Sequence, residues 1–313
     1  MESRIIPIRN KGCQYSDRIS TEDEGLLILA FYVRHYPHST EETWREHIRI
    51  GRISRNGKPA SPDEILIRGD FLVYSRPAWE EPDAPVDFGV LYEDDDILVL
   101  DKPSGLPVLP GGGFLENTLL HLARKRFGPE CSPLHRLGRG TSGAILFTRN
   151  EQAARFLTKA MVERQILKVY LAKASGLVSP DAFTVDVPIG PVPNGKGATV
   201  NAYSPRGRAA ISHVRVIRHL TDENASILEV TIPTGRPHQI RIHLAYAGYP
   251  LVGDPLYGPG GLPWVIAADG ESTARPGDCG YLLHSWKIRF PRPDGRGERE
   301  VIAPPPPALA PEP

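Results

Sequence analysis

The sequence predicts an α+β protein whose main domain carries a mixed, largely antiparallel sheet and is preceded by a small α/β domain. Three observations predict it. β-rich segments recur from residue 86 onward without regular alternation with helices, which disfavours a doubly wound parallel sheet. Helical periodicity is strong in only a few places, notably "EQAARFLTKAMVERQIL". The Pro- and acid-rich stretch "RPAWEEPDAPVD" suits an exposed linker, which places the domains at 1–85 and 86–302, with a Pro-rich tail at 303–313.

In the first domain "TEDEGLLILAFYVRHY" reads as a helix with an acidic first turn, favourable to the helix dipole. A basic turn follows in "TWREHIRIGRISRNGK", where Arg45, His47, Arg49, Arg52, Arg55 and Lys58 crowd together. "SPDEILIRGDFLVYSRP" looks like two short strands about the Gly69-Asp70 turn. A basic cluster is either a solvated face or a phosphate-backbone patch, and the second needs only closely spaced cations. The main domain opens with strand, acidic turn and strand in "DFGVLYEDDDILVLDK", then a Pro/Gly loop. Strands are expected again at "AILF", "LKVYLAKASG", "SHVRVIRHL", "ASILEVTIP" and "YLLHSWKIRF". The tail "APPPPALAPEP" can form neither core nor ladder and is expected to be disordered or polyproline.

Composition is ordinary, at 40% hydrophobic, 24% charged and 8% aromatic. The 37 basic and 37 acidic residues cancel, so any nucleic-acid site must be local. Cys13, Cys131 and Cys279 are far apart and show no C-x-x-C spacing, which indicates neither a zinc ribbon nor a disulfide framework. No apolar run approaches the ~20 residues that span a bilayer, and the polar start lacks a signal-peptide core. The expectation is a soluble cytoplasmic protein without an obligate protein partner.

"LHRLGRGTSGAILFTRN" contains Gly138, Gly140 and Gly143 in the dinucleotide spacing G-x-G-x-x-G. That motif needs a strand before it and a helix after it, because the phosphate sits on the helix N-terminus. Here the glycines enter a strand, so the nucleotide reading fails. The segment "TGRPHQIRIHLAYAGYPLVGDPLYG" gathers Arg236, His238, Gln239, Arg241 and His243, followed by Asp254 and Tyr257. The five-residue histidine spacing disfavours zinc. The polar groups either satisfy a loop backbone or form an electrostatic floor for a phosphodiester or carboxylate. There is no G-x-S-x-G elbow and no Walker loop.

"VLYEDDDILVLDKPSGLPV", "HRLGRGTSGAILFTRN", "LKVYLAKASG" and "TIPTGRPHQIRIHLAYAGYPLVGDPLYG" together resemble, in order over roughly residues 88–290, the RluA-type RNA pseudouridine synthases. The first domain is similar to the small RNA-binding domain that many of them carry. The resemblance implies a mixed sheet with a central cleft and isomerisation of a flipped uridine in rRNA or tRNA without cofactor or metal. It implies that Tyr170 packs against the uracil and that Arg241 pairs with a catalytic aspartate. It also implies that His135, Arg136, Arg139, Arg236 and His238 face RNA, with Arg49, Arg52, Arg55 and Lys58 doing so in the first domain. The family pattern is H-R-L-D-x-x-T-S-G, and this chain has Gly138 where the aspartate belongs. Glycine supplies neither nucleophile nor base. The alternative expectation is therefore a catalytically inactive RNA-binding relative. Asp95, Asp96, Asp101, Asp254 and Glu163 are candidate substitutes, Asp101 and Asp254 foremost because they lie in motif blocks.

Overall fold

The computed structural model describes residues 9–193, 199–264 and 275–311. The chain divides into two compact units between Glu81 and Pro82.

The first unit contains β1 (Cys13–Arg18), α1 (Ile28–His35), α2 (Glu41–Arg49), β2 (Ile53–Arg55), β3 (Lys58–Pro59) and β4 (Phe71–Arg76). Its antiparallel sheet runs β1-β4-β2-β3. Ile28, Phe31, Tyr32, Trp44, Ile48, Ile53 and Leu72 form its core. Three local expectations change. The first helix starts at Ile28, because Asp23 in the preceding turn is held by Ser20 and His35 at 2.9 and 2.7 Å. The basic segment is helical through Arg49, with Thr40 capping the Thr43 amide at 3.3 Å. Residues 61–67 form no strand: Leu66 alone is buried, between exposed Ile65 and Ile67, and a single bridge joins Ile65 to Leu27.

The second unit contains β5 (Gly89–Glu93), β6 (Ile97–Lys102), α3 (Leu119–Phe127), β7 (Ser132–Pro133), β8 (Ser142–Thr148), α4 (Glu151–Val162) and β9 (Leu167–Ser175). It continues with β10 (Ala182–Asp186), β11 (Ile189–Pro193), β12 (Thr199–Tyr203), β13 (Ile211–Leu220), β14 (Ala225–Thr231), α5 (Gln239–Tyr246), β15 (Leu283–Pro291) and β16 (Glu298–Ile302). Among the described residues the main sheet runs β10-β13-β14-β9-β15-β8-β6-β5, with β16 on β15 and β7 on β8. Only β15 and β8 pair in parallel, so the sheet is mixed and largely antiparallel, as expected.

Its centre is buried on both faces. Leu98, Leu100, Ile145 and Phe147 point to a core that includes Leu119 and Ala123 of α3. Ile97, Val99, Ala144 and Leu146 point to one that includes Leu157 and Ala160 of α4. Two-sided burial explains why "ILVL" and "AILF" are continuous apolar runs rather than alternating ones. The β11–β12 hairpin packs on α5 through Val200, Ala202, Ile242 and Ala245.

The expectation of a disordered tail is corrected as far as residue 311; residues 312–313 lie outside the described residues. The Ala303 amide donates to the Trp286 carbonyl at 2.8 Å, and Leu309, in a short 3₁₀ turn, is buried with Leu171 and Ile227. Prolines exclude a ladder, but one leucine suffices to anchor the segment to the sheet.

Candidate active site

Tyr170 lies on β9, opposite Val230 of β14 on one side and Ser285 of β15 on the other. It faces a small pocket of about 80 Å3 whose lining includes Gly138, Thr141, His238, Arg241 and Tyr281. Burial pushes the Tyr170 phenol up to about 12, with Ser285 acting in the opposite direction. The pocket shares Arg136, Leu137, Gly138, Arg236 and His238 with a groove of about 820 Å3 that also takes in Arg139, Arg275 and Asp278.

Arg241 projects from α5 and is fully buried. Its Nε and Nη2 donate to the two carboxylate oxygens of Asp254, both at 2.7 Å, and Nη1 donates to the Pro276 carbonyl at 3.4 Å. The guanidinium lies 4.2 Å from the Tyr281 ring centre and 5.0 Å from that of Tyr257. Burial works against its charge, but the hydrogen bonds to Asp254 outweigh it and the pKa rises. Asp254 accepts further bonds from the Leu256 and Tyr257 amides, at 2.9 and 3.1 Å. The partner of Arg241 is thus Asp254, and this carboxylate is spent on it: both oxygens are occupied, and it does not line the pocket.

The other candidate acids are elsewhere. Asp101 sits in a different hollow of about 490 Å3 with Ser142 and His284, and burial raises its pKa. Asp96 accepts from Asn150 at 2.8 Å, Asp95 lies exposed in the same turn, and Glu163 pairs with Lys159 beyond the end of α4. Among the described residues no carboxylate lines the Tyr170 pocket, and Asp278 is the one that lines the wider groove.

Of the predicted RNA-facing residues, Arg136 is exposed and lines both spaces. Arg236 also does so, while its Nε donates to the Ala209 carbonyl at 3.1 Å. Arg139 lines the groove with its guanidinium 5.3 Å from the Phe114 ring centre. His135 turns inward instead. Its Nε2 accepts the Leu146 amide at 3.2 Å, and loss of solvent pushes its pKa down to about 3, so a neutral ring braces β8. His238 pairs with the Tyr257 hydroxyl at 2.8 Å and is likewise pushed by burial to about 3, so it meets the pocket uncharged. His243 bonds Ser212 and the Val187 carbonyl, and Gln239 is consumed by Thr234, Arg236, Ile211 and Ser212. These residues satisfy their surroundings rather than forming an electrostatic floor.

In the first unit, Arg49 chelates Glu46 at 2.6 and 2.7 Å, and Arg55 is held by Glu64 and Asp70 at 3.2 and 2.5 Å. Arg55 therefore ties that unit together. Arg52 and Lys58 have no ion pair among the described residues.

Sequence reasoning missed Tyr281. It precedes β15 and is buried, its hydroxyl lies 3.3 Å from the Thr141 hydroxyl, and burial raises its pKa despite the nearby Arg241. The available signal was the pair Gly138 and Gly140, which leave room for a ring, although nothing local says whose.

A small aromatic pocket opening on an arginine-lined groove has the shape and charge to take up a single planar base from a polyanionic strand. The family model for RNA pseudouridylate synthase matches residues 96–246. The chain is 41% identical to a protein of Synechocystis sp. named as an uncharacterized RNA pseudouridine synthase, over 90% of this chain and 95% of that one. It is 38% identical to RNA pseudouridine synthase 5 of Arabidopsis thaliana, over 97% and 95% respectively. The structure of human RNA pseudouridylate synthase domain containing 1 matches with a TM-score of 0.53 at 26% identity, covering 74% of this chain and 89% of that one. The chain belongs to the RNA pseudouridylate synthase family, whose enzymes isomerise uridine in RNA.

Proposed function

We propose that the chain isomerises one particular uridine of a structured RNA, rRNA or tRNA, with the base flipped into the Tyr170 pocket. The observation that carries this reading is the pocket itself: it is lined by two tyrosines and Arg241 and shares its rim arginines, Arg136 and Arg236, with the wider groove. Tyr170 packs against the uracil, Arg241 holds the wall opposite through Asp254, and Arg136, Arg139 and Arg236 meet phosphates. Arg52 and Lys58 offer the first unit a sequence-independent contact to the same RNA. The reaction conserves atoms and electrons: the N1–C1′ bond breaks, a C5–C1′ bond forms, C5 loses a proton and N1 gains one. Three free thiols fit a reducing cytoplasm.

The test is incubation of the purified protein with unmodified rRNA and tRNA transcripts, followed by mapping of pseudouridine. Conversion at a defined uridine that is lost on Tyr170→Ala is expected. Among the described residues no carboxylate lines the pocket, and this favours a second reading, a relative that clamps a uridine without isomerising it. RNA binding without conversion decides for that reading and against the first.

A further inference from the structure

We propose that Tyr281 is a catalytic residue of this pocket: its hydroxyl stands where a side chain on residue 138 would begin, and it donates a hydrogen bond to the bound uracil. The inference rests on the uridine pocket proposed above.

The geometry comes from two glycines. A Cβ placed on Gly138 would lie 2.8 Å from the Tyr281 hydroxyl oxygen, and one on Gly140 would lie 2.9 Å from the ring carbon that bears it. Neither glycine adopts a positive φ, so backbone strain is not what calls for glycine there. A side chain at either position would have to displace the outer end of Tyr281, which fills the space. The glycine that replaces the expected motif aspartate and the tyrosine that covers it therefore form a matched pair.

The surroundings suit a donor. Arg241 lies against the ring at 4.2 Å and fixes it. Thr141, at 3.3 Å, is a long and weak partner that leaves the hydroxyl capacity for a ligand. Burial keeps the phenol protonated, so it acts as a hydrogen-bond donor and not as a base. When the N1–C1′ bond breaks, its electron pair stays on the uracil and spreads onto the ring carbonyl oxygens. A fixed neutral donor on the buried wall of the pocket stabilises that charge. C5 then bonds to C1′ and releases its proton to water, N1 takes one up, and Tyr281 keeps its own throughout.

The test is Tyr281→Phe, which retains the ring. On the RNA converted in the preceding assay, the single-turnover rate should fall by roughly 10²–10³-fold, as for loss of one oxyanion donor, with RNA affinity nearly unchanged. A fluorinated tyrosine at 281, whose phenol is more acidic, should move the alkaline limb of the pH–rate profile to lower pH. A Tyr281→Phe rate equal to the parent's overturns the inference. So does loss of activity in Asp278→Asn with none in Tyr281→Phe, which would give the role to that carboxylate. The packing is read separately by thermal unfolding: Gly138→Ala should lower the midpoint in the parent and much less in Tyr281→Phe, and equal losses in both overturn the matched pair. If the parent converts no uridine, the function proposed above fails and takes the catalytic role with it, while the unfolding cycle still reports on the pair. Conversion that survives Tyr281→Phe defeats the present inference alone.

Discussion

At the scale of single residues, the Arg241–Asp254 pair decides what the pocket can do. Removing two charges from water is expensive, and their attraction offsets this only with close geometry and every remaining lone pair satisfied. Both conditions hold: two parallel 2.7 Å bonds join them, and two backbone amides complete the carboxylate. Asp254→Asn keeps the shape but strands a buried guanidinium, with an expected loss of about 3–5 kcal/mol in unfolding free energy. Guanidinium chloride denaturation measures it, and a loss below about 1 kcal/mol would mean that water reaches Arg241. Both residues were visible in the sequence, Arg241 from its motif and Asp254 as a candidate acid. Their mutual satisfaction was not, since it depends on how a loop returns over α5. The opposite held for "HRLGRGTSG". Its spacing invited a nucleotide reading, but Gly138 and Gly140 accommodate the ring of Tyr281, more than a hundred residues later, and no local pattern announces it.

At the scale of elements, α5 shows why some structure escaped the sequence. Amphipathic helices declare themselves by an apolar stripe, whereas Gln239 through Ala245 are buried without interruption, polar residues included. The segment therefore read as a polar loop or a charged floor. Enclosure sets the chemistry of its histidines: burial pushes His238 down to about 3 and His243 to about 4, from 6.5. Both are neutral in the folded protein near pH 5, whereas in the unfolded chain both bind protons below about 6.5. The unfolded state thus takes up more protons between these limits, so the stabilisation is complete above pH 6.5 and is lost as pH falls toward 4 and then 3. Each histidine contributes at most about 1.4 kcal/mol per pH unit inside that window. Unfolding free energies measured from pH 7 to pH 4 should fall accordingly, and His243→Gln should flatten the slope by roughly one such increment. An unchanged slope would show that His243 is already charged, or solvated, in the native state.

At the scale of the whole molecule, the equal numbers of acidic and basic residues leave no long-range pull on RNA. Attraction must be local, and the structure divides the available cations unequally. In the first unit, Arg49 and Arg55 are answered by carboxylates of their own unit. In the second, Arg136, Arg139, Arg236 and Arg275 border one groove, where Asp278 is the carboxylate among the described residues. The sequence showed both basic sets but could not show which had been neutralised, because ion pairing is a property of the fold. If the groove is the RNA path, each arginine that meets a phosphate displaces condensed counterions, so log K falls with log salt by about 0.7–0.9 per contact. Arg136→Ala, at the exposed rim, should weaken binding to all bound RNAs alike and reduce the magnitude of that slope by about 1. Filter binding or anisotropy across a salt series on unmodified rRNA and tRNA transcripts measures it. A slope unaltered by Arg136→Ala, together with one reduced by removing Arg52 and Lys58, would move the main electrostatic contact out of the groove and onto the first unit.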